Sequence, residues 1–79
     1  MIPDNQDILI LRYVEKNPRC SQREAYFPLL GQRSQSFLQK KVGCLIACGY
    51  IESTPATNRL ETRITRKGKN FLKKLGAEQ

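Results

Sequence analysis

The sequence predicts an α+β domain in which three helices precede a two-stranded β-hairpin and a fourth helix follows it. Four segments with apolar residues at helical spacing each follow a serine, threonine or aspartate that can cap a helix. Two short runs rich in β-branched residues flank a polar loop in the last third of the chain, a pattern typical of a hairpin. A chain of 79 residues has room for one modest core. We therefore expect a single domain over residues 1–79, with residues 76–79 as a frayed tail.

The first helix is predicted over about residues 5–16. Asp4 can cap its start, and Ile8, Leu11 and Val14 form an apolar stripe at helical spacing. Asn17 precedes a proline, and a residue in that position is pushed out of the α region. The helix therefore ends there.

The second helix is predicted to begin after Ser21, which forms a capping box with Glu24 three residues later. Pro28 lacks the amide that a helix interior needs and collides with the preceding turn. We therefore expect this helix to be short, or kinked, near Phe27. Gly31 then supplies a turn.

The third helix is predicted to follow Ser34 as its cap. At about 100° per residue, Val42 and Leu45 fall on the same side as Leu38, so these three residues are expected in the core. Gly49 stands where a left-handed residue ends a helix. The opposite side carries no acidic residue, and its side chains are small, polar or basic: Ser36, Lys40, Gly43 and Ala47. Arg33 and Gln39 lie on its flanks.

The hairpin is predicted from strands at residues 50–54 and 60–64 with a polar loop between them. Thr65 can cap the last helix, whose apolar residues are Phe71, Leu72 and Leu75. The remaining side chains of this helix are largely basic. Its lysines at positions 73 and 74 are expected to be solvated surface charge.

The charge of the chain indicates a polyanionic partner. Fourteen Lys and Arg against seven Asp and Glu give a formal net charge of +7. An excess of this size favours nucleic acid first and an acidic membrane surface second, while the alternative is a charge that only aids solubility. No apolar run approaches the ~20 residues of a membrane span, and the N-terminus lacks the basic start of a signal peptide. We therefore expect a cytoplasmic protein that does not bind membranes.

The residue types argue against catalysis. The chain has no histidine, no glycine-rich phosphate loop and no recognisable pair of catalytic carboxylates, so we expect it not to be an enzyme. Its cysteines are Cys20, Cys44 and Cys48, an odd count that suits reduced thiols. Without histidine they are expected to be small buried side chains and not zinc ligands, so we expect no metal and no cofactor.

The order of elements is that of a winged helix-turn-helix domain, and particular segments resemble one family. NPRCSQREA and LGQRSQSFLQKKVGCLIACGYIES are similar to the helix-turn-helix of MarR-like and related prokaryotic winged-helix regulators, and GYIE and RITRKGKNFL are similar to their wing and last helix. The resemblance covers about residues 8–75. It departs from the family at Tyr26-Phe27-Pro28 and in the short turn after Gly31. A chain with so little beyond this core also resembles small plasmid or phage regulators.

The resemblance implies a small transcriptional regulator that binds a specific sequence of double-stranded DNA. The third helix would enter the major groove, where glutamine pairs with adenine and arginine or lysine with guanine. The hairpin would lie on the backbone or the minor groove. The candidate contacts of the third helix are Arg33, Gln35, Ser36, Gln39 and Lys40, and those of the hairpin and its flanks are Asn58, Arg59, Arg63, Arg66, Lys67 and Lys69.

Two other binding functions are compatible with the sequence. Winged helices also serve as protein-interaction modules, for which an exposed apolar patch would be expected. RNA binding is the second, although the aromatic residues fall mostly at core-like positions and form no stacking platform. The four consecutive apolar residues 8–11 exceed what one helix face can bury within the domain. For this reason we expect a homodimer that forms through the first or last helices. The alternative is a monomer in which Leu9 simply lies exposed.

Overall fold

A computed structural model describes residues 3–55 and 60–77 and shows an α+β arrangement of four α-helices and a two-stranded antiparallel sheet within those residues. The elements in chain order are α1 (Asn5–Lys16), α2 (Gln22–Tyr26), a 3₁₀ turn (Phe27–Leu29), α3 (Gln35–Ala47), β1 (Ile51–Pro55), β2 (Leu60–Ile64) and α4 (Arg66–Ala77). The strand β1 begins one residue later than predicted, and α4 continues through residues 76 and 77, where a frayed tail was predicted.

The predicted helix caps are present. Asp4 and Asp7 form a reciprocal capping box in which each carboxylate accepts the other's amide, at 2.9 and 3.1 Å. Ser21 Oγ accepts the amide of Glu24 at 3.1 Å, and Ser34 Oγ accepts the amide three residues later at 3.3 Å. Each cap satisfies amides that a helix start leaves without intrahelical partners.

The proline in the second helix has the effect that the sequence predicts. The helix α2 ends at Tyr26, and Phe27–Leu29 continue as a single 3₁₀ turn with Pro28 inside it. A proline is tolerated there because the early positions of a helical turn need no amide donor. The result is a short, compact connection between α2 and α3.

The helix α3 ends at Gly49 in the way that the sequence indicates. Gly49 has φ +84°, in the left-handed region that glycine adopts without strain. Its amide donates to Ile46 O at 3.0 Å, and the amide of Tyr50 donates to Leu45 O at 2.9 Å. This pair of bonds is a Schellman motif, which satisfies the last carbonyls of α3 and turns the chain directly into β1.

One cluster of buried side chains lies between the helices and one face of the hairpin. Leu38, Val42 and Leu45 are completely buried, which confirms the predicted core side of α3. The other apolar members are Ile10, Leu11, Val14, Cys20, Ala25, Tyr26, Leu29, Ile51 and Leu72. Among the described residues, no helix combines the length and the apolar character that crossing a membrane requires.

The hairpin joins the helices through the extended segment that precedes α2. The strands pair in the register Ile51 with Ile64. Thr62 donates its amide to Cys20 O at 2.7 Å and accepts the amide of Arg19 at 3.1 Å. A further antiparallel bridge joins the following residue, Ser21, to β2. The segment thus pairs with β2 on the edge that β1 leaves open.

The helix α4 packs closely on the base of the hairpin at Gly68. A Cβ atom at this position would lie 2.7 Å from Ile64 Cγ1 and would collide with the carbonyl oxygen of Tyr50. Thr65 caps the helix by accepting the Gly68 amide at 3.1 Å. The Tyr50 and Phe71 rings meet edge to face beside it, with centroids 5.5 Å apart. The absence of a side chain at position 68 therefore permits this packing.

We expect Gly68→Ala to lower the free energy of unfolding by about 1–3 kcal/mol, because the new methyl group forces backbone and core atoms apart. Gly43→Ala is the matched control, since no atom lies within 4 Å of a Cβ there and Gly43 is also helical. That variant should gain about 0.5–1 kcal/mol from helix propensity. Urea denaturation followed by circular dichroism measures both values. Equal effects of the two substitutions would contradict the packing at Gly68.

Candidate nucleic-acid interface

The outer face of α3 is open and free of acid. The residues Gln35 to Ala47 include no aspartate or glutamate, and the side opposite Leu38 is exposed. A side chain added at Gly43 would meet nothing within 4 Å. The exposed residues of this face are Gln35, Ser36, Phe37, Gln39, Lys40, Gly43, Cys44 and Ala47. We call this set the α3 face. It combines hydrogen-bonding side chains near the start of the helix with small side chains near its end.

One lysine of α3 is held against α1 instead of facing solvent. Lys41 Nζ contacts Asp4 Oδ2 and lies 3.5 Å from Asp7 Oδ2. Burial raises the pKa of Asp7, whereas the hydrogen bond from Lys41 lowers the pKa of Asp4. The two carboxylates engage Lys41, so its charge fixes α3 to the start of α1 and is not offered to a ligand. The sequence did not reveal this pairing.

The ring of Phe37 is exposed on the α3 face, with 39% of the residue's surface accessible. The guanidinium carbon of Arg33 lies 5.1 Å from the ring centroid, and Lys41 Nζ lies 5.2 Å from it. Phe27, in the 3₁₀ turn, is also exposed, at 59%. The aromatic residues were expected to fall mostly at core-like positions, and Phe27 and Phe37 are the exceptions. Phe27 lies at the end of α2 and Phe37 in the first turn of α3. So few residues of the helix lie on one side of each ring that the spacing of apolar residues does not define a buried face there.

The polar candidates on α3 differ in how freely they project. Gln39 Nε2 lies 3.5 Å from the Tyr26 hydroxyl, a long hydrogen bond that leaves the amide oxygen of Gln39 as an acceptor. Gln35, Ser36 and Lys40 are exposed. Arg33 precedes the helix, and its position is set by the ring contact described above. The structure thus brings four of the predicted residues to the first two turns of the α3 face, with Arg33 just before them.

The candidates around the hairpin are dispersed. Asn58 and Arg59 lie outside the described residues. Arg66 is exposed as the first residue of α4. Lys67 Nζ donates to Cys48 O at 2.7 Å and lies 4.7 Å from the Tyr50 ring centroid. A cation in this position stabilises the carbonyl end of α3, a structural role that the sequence did not suggest.

Arg63 and Lys69 lie beside α1. Both line a depression between α1, the segment that follows α1, β2 and α4. Glu15 and Arg19 are also among its described lining residues. An adjoining depression of about 530 Å³ lies between α1 and α4, with Leu72 and Glu15 among its residues. Its described lining residues include four exposed cations: Arg12, Lys16, Lys69 and Lys73. We call these four the α1–α4 basic surface, and the sequence did not predict that they would converge.

The cysteines do not behave as a buried set. Cys20 is buried, but Cys44 is exposed on the α3 face and Cys48 is half-buried. None of the three forms a disulfide, and the expectation of small buried side chains is wrong for Cys44. Across residues 3–55 and 60–77, no group of three cysteine or acidic side chains comes close enough to hold a metal ion.

Comparison of the chain with protein-family models, curated proteins and solved structures gave no match. The resemblance to winged-helix regulators therefore remains an interpretation of the sequence. Two features of the described residues bear on function, the acid-free α3 face and the α1–α4 basic surface.

Proposed function

We propose that this protein is a winged helix-turn-helix regulator of transcription that binds a specific sequence of double-stranded DNA in the cytoplasm. In this proposal α2 and α3 form the helix-turn-helix, α3 enters the major groove, and the hairpin lies on the backbone or the minor groove. The observation that carries the proposal is the α3 face, which is exposed and without acid while Leu38, Val42 and Leu45 fix the opposite side in the core.

The side chains of this face suit base edges. The major groove admits an α-helix, and each base pair presents its own pattern of donors and acceptors there. Gln35 and Gln39 offer the amide that pairs with adenine, and Lys40 offers a donor for guanine or phosphate. Gly43 and Ala47, farther along the helix, are small enough for the groove floor or wall to approach closely. Polar contacts would therefore cluster in the first two turns.

The cations outside α3 suit phosphates, which position a protein without reading sequence. Arg66 stands at the start of α4, between two residues that contact the end of α3, and Arg33 stands just before the start of α3. The α1–α4 basic surface is a second place where a polyanion can bind. An experiment on the proposal must therefore separate the two surfaces.

We expect the affinity for duplex DNA to depend steeply on salt. If the protein neutralises about five phosphates, the logarithm of the association constant should fall with the logarithm of the salt concentration with a slope of about −4 to −5. Fluorescence anisotropy at several salt concentrations measures the slope. Duplex RNA of the same sequence should bind more weakly, because its major groove is too narrow for α3. A salt-independent affinity would argue for a protein-interaction module instead.

We expect Gly43→Glu to weaken DNA binding at least about tenfold, because it places a carboxylate on the α3 face against the phosphates and base acceptors. The substitution has open space and replaces glycine within a helix, so folding should be retained. Two controls change the net charge by the same single unit. Gly76→Glu places the acid at another open helical position, in the last turn of α4, and Lys73→Gln removes a cation from the α1–α4 basic surface.

Anisotropy titrations of the three variants identify the interface. The proposal predicts a large loss for Gly43→Glu alone and small, similar losses for both controls. A loss confined to Lys73→Gln would move the interface to the α1–α4 basic surface. Equal losses in all three would mean that binding depends on net charge and not on the α3 face.

We also propose that the protein binds DNA as a homodimer through the outer side of α1. Leu9 is 50% exposed and lines a groove of about 390 Å³ together with Tyr13, Pro28 and Leu29. One winged unit reads only a few base pairs, so pairing would add specificity as well as burying this leucine. The two half-sites would then lie about one helical turn of DNA apart.

We expect Leu9→Lys to dissociate the dimer, since it places a charge in the contact. Asn70→Lys, at an exposed position of α4, adds the same charge elsewhere and should leave the dimer intact. Sedimentation equilibrium at micromolar concentration, with and without DNA, gives the mass of each. A wild-type protein that sediments as a monomer in both conditions rules out the dimer.

A further inference from the structure

The exposed ring of Phe37 is the one large apolar side chain on the α3 face. Single exposed apolar residues are common on protein surfaces, so exposure alone implies no role. The surroundings of this ring are more informative. Arg33 and Lys41, four residues before and four residues after it, both place their cationic groups within 5.2 Å of the ring centroid.

These contacts restrict the orientation of the ring. Cations attract the faces of aromatic rings, and two of them limit the rotamers that Phe37 can adopt. Lys41 is itself held by Asp4 and Asp7, so one side of the ring rests on an immobilised group. The ring therefore favours one orientation at the surface before any ligand arrives.

Phe37 also lies in line with other residues of the α3 face. Positions three and seven residues further along a helix lie on nearly the same side, which places Lys40 and Cys44 in a row with Phe37. This row holds an apolar ring, a cation and a small thiol, and no acid. A groove that received Lys40 would receive the ring of Phe37 as well.

The major groove of DNA has one exposed apolar group, the 5-methyl group of thymine, and phenylalanine is among the side chains that contact it. The neighbouring polar atoms of the bases are read by hydrogen bonds, which a phenyl ring cannot form. A ring held at the surface of a groove-reading helix therefore has a single favourable partner there. Apolar wedges that separate base pairs act from the minor groove, which is not where α3 is proposed to lie.

We propose that Phe37 is a specificity-determining residue that packs against the 5-methyl group of a thymine in the recognised site. The inference rests on the proposed function, since it requires α3 in the major groove. Phe37 and Lys40 are separated by about 4.5 Å along the helix axis, and neighbouring bases of one strand by about 3.4 Å. The thymine therefore lies about one base-pair step from the base or phosphate that Lys40 contacts.

The test replaces thymine by deoxyuridine, which lacks only the 5-methyl group and keeps every base-pairing atom. A binding site is first selected from a random duplex library with the wild-type protein. Each thymine of that site is then changed to deoxyuridine, one at a time, and the affinities are measured by anisotropy. We expect one such change to weaken wild-type binding about threefold to tenfold, the effect of one buried methyl group.

Phe37→Ala should bind the thymine and deoxyuridine versions of that site equally, because the contact is gone. Phe27→Ala is the matched control, since Phe27 is the other exposed phenylalanine and lies in the 3₁₀ turn. It should retain the wild-type preference for thymine. Comparing two duplexes with one variant makes the readout independent of any change in that variant's folding.

Three results would overturn the inference while leaving DNA binding intact: a selected site without thymine, no deoxyuridine change that weakens binding, or a thymine preference that survives in Phe37→Ala. Failure of the wild-type protein to select or bind any duplex would instead overturn the proposed function itself. The two failures are therefore distinguishable in the same experiment.

Discussion

The buried pairing of Thr62 with the segment around Cys20 fixes the hairpin to the helices. A two-stranded hairpin is only marginally stable in water, and it gains stability from a further strand or from packing on a helix. Thr62 supplies the further pairing through its amide, its carbonyl and its hydroxyl, which donates to Cys20 O at 2.8 Å. Its side chain is fully buried, so this bond forms away from water. The position of the hairpin relative to α2 follows from this junction.

The same junction explains the unusual backbone of Arg19. Its φ of +72° lies in the left-handed region, which costs a residue other than glycine on the order of 1–3 kcal/mol. Hydrogen bonds from the backbone amide and from the side chain of Arg19 offset this cost. The amide donates to Thr62 O, and the side-chain Nε donates to Glu61 Oε2 at 3.1 Å. Glu61 is buried under this contact, so the ion pair also satisfies a carboxylate that would otherwise be costly to desolvate.

Features that depend on residues close in sequence were predicted, and features that depend on distant residues were not. The caps at Ser21 and Ser34 and the helix end at Gly49 follow from side chains within four positions, so the sequence reveals them directly. The pairing of Thr62 spans 42 residues, and a pattern of residue types cannot specify it. The same holds for the site. The α3 face follows from helical periodicity, whereas the partners of long side chains such as Lys67 are chosen by packing.

In the proposed complex, the charges on α3 would let the helix contact bases without being dominated by phosphate attraction. Lys41 is engaged by two carboxylates, and Arg33 stands over the ring of Phe37 at the start of the helix. Lys40 is then the exposed lysine of the helix itself, and the remaining cations lie on other elements. Phosphates flank a groove and bases line its floor, so this separation matches cations to the flanks and neutral side chains to the floor. Because Arg33 contacts the ring, a phosphate bound at Arg33 and a base bound at Phe37 would be positioned together. Affinity and specificity would thereby be coupled through one pair of side chains.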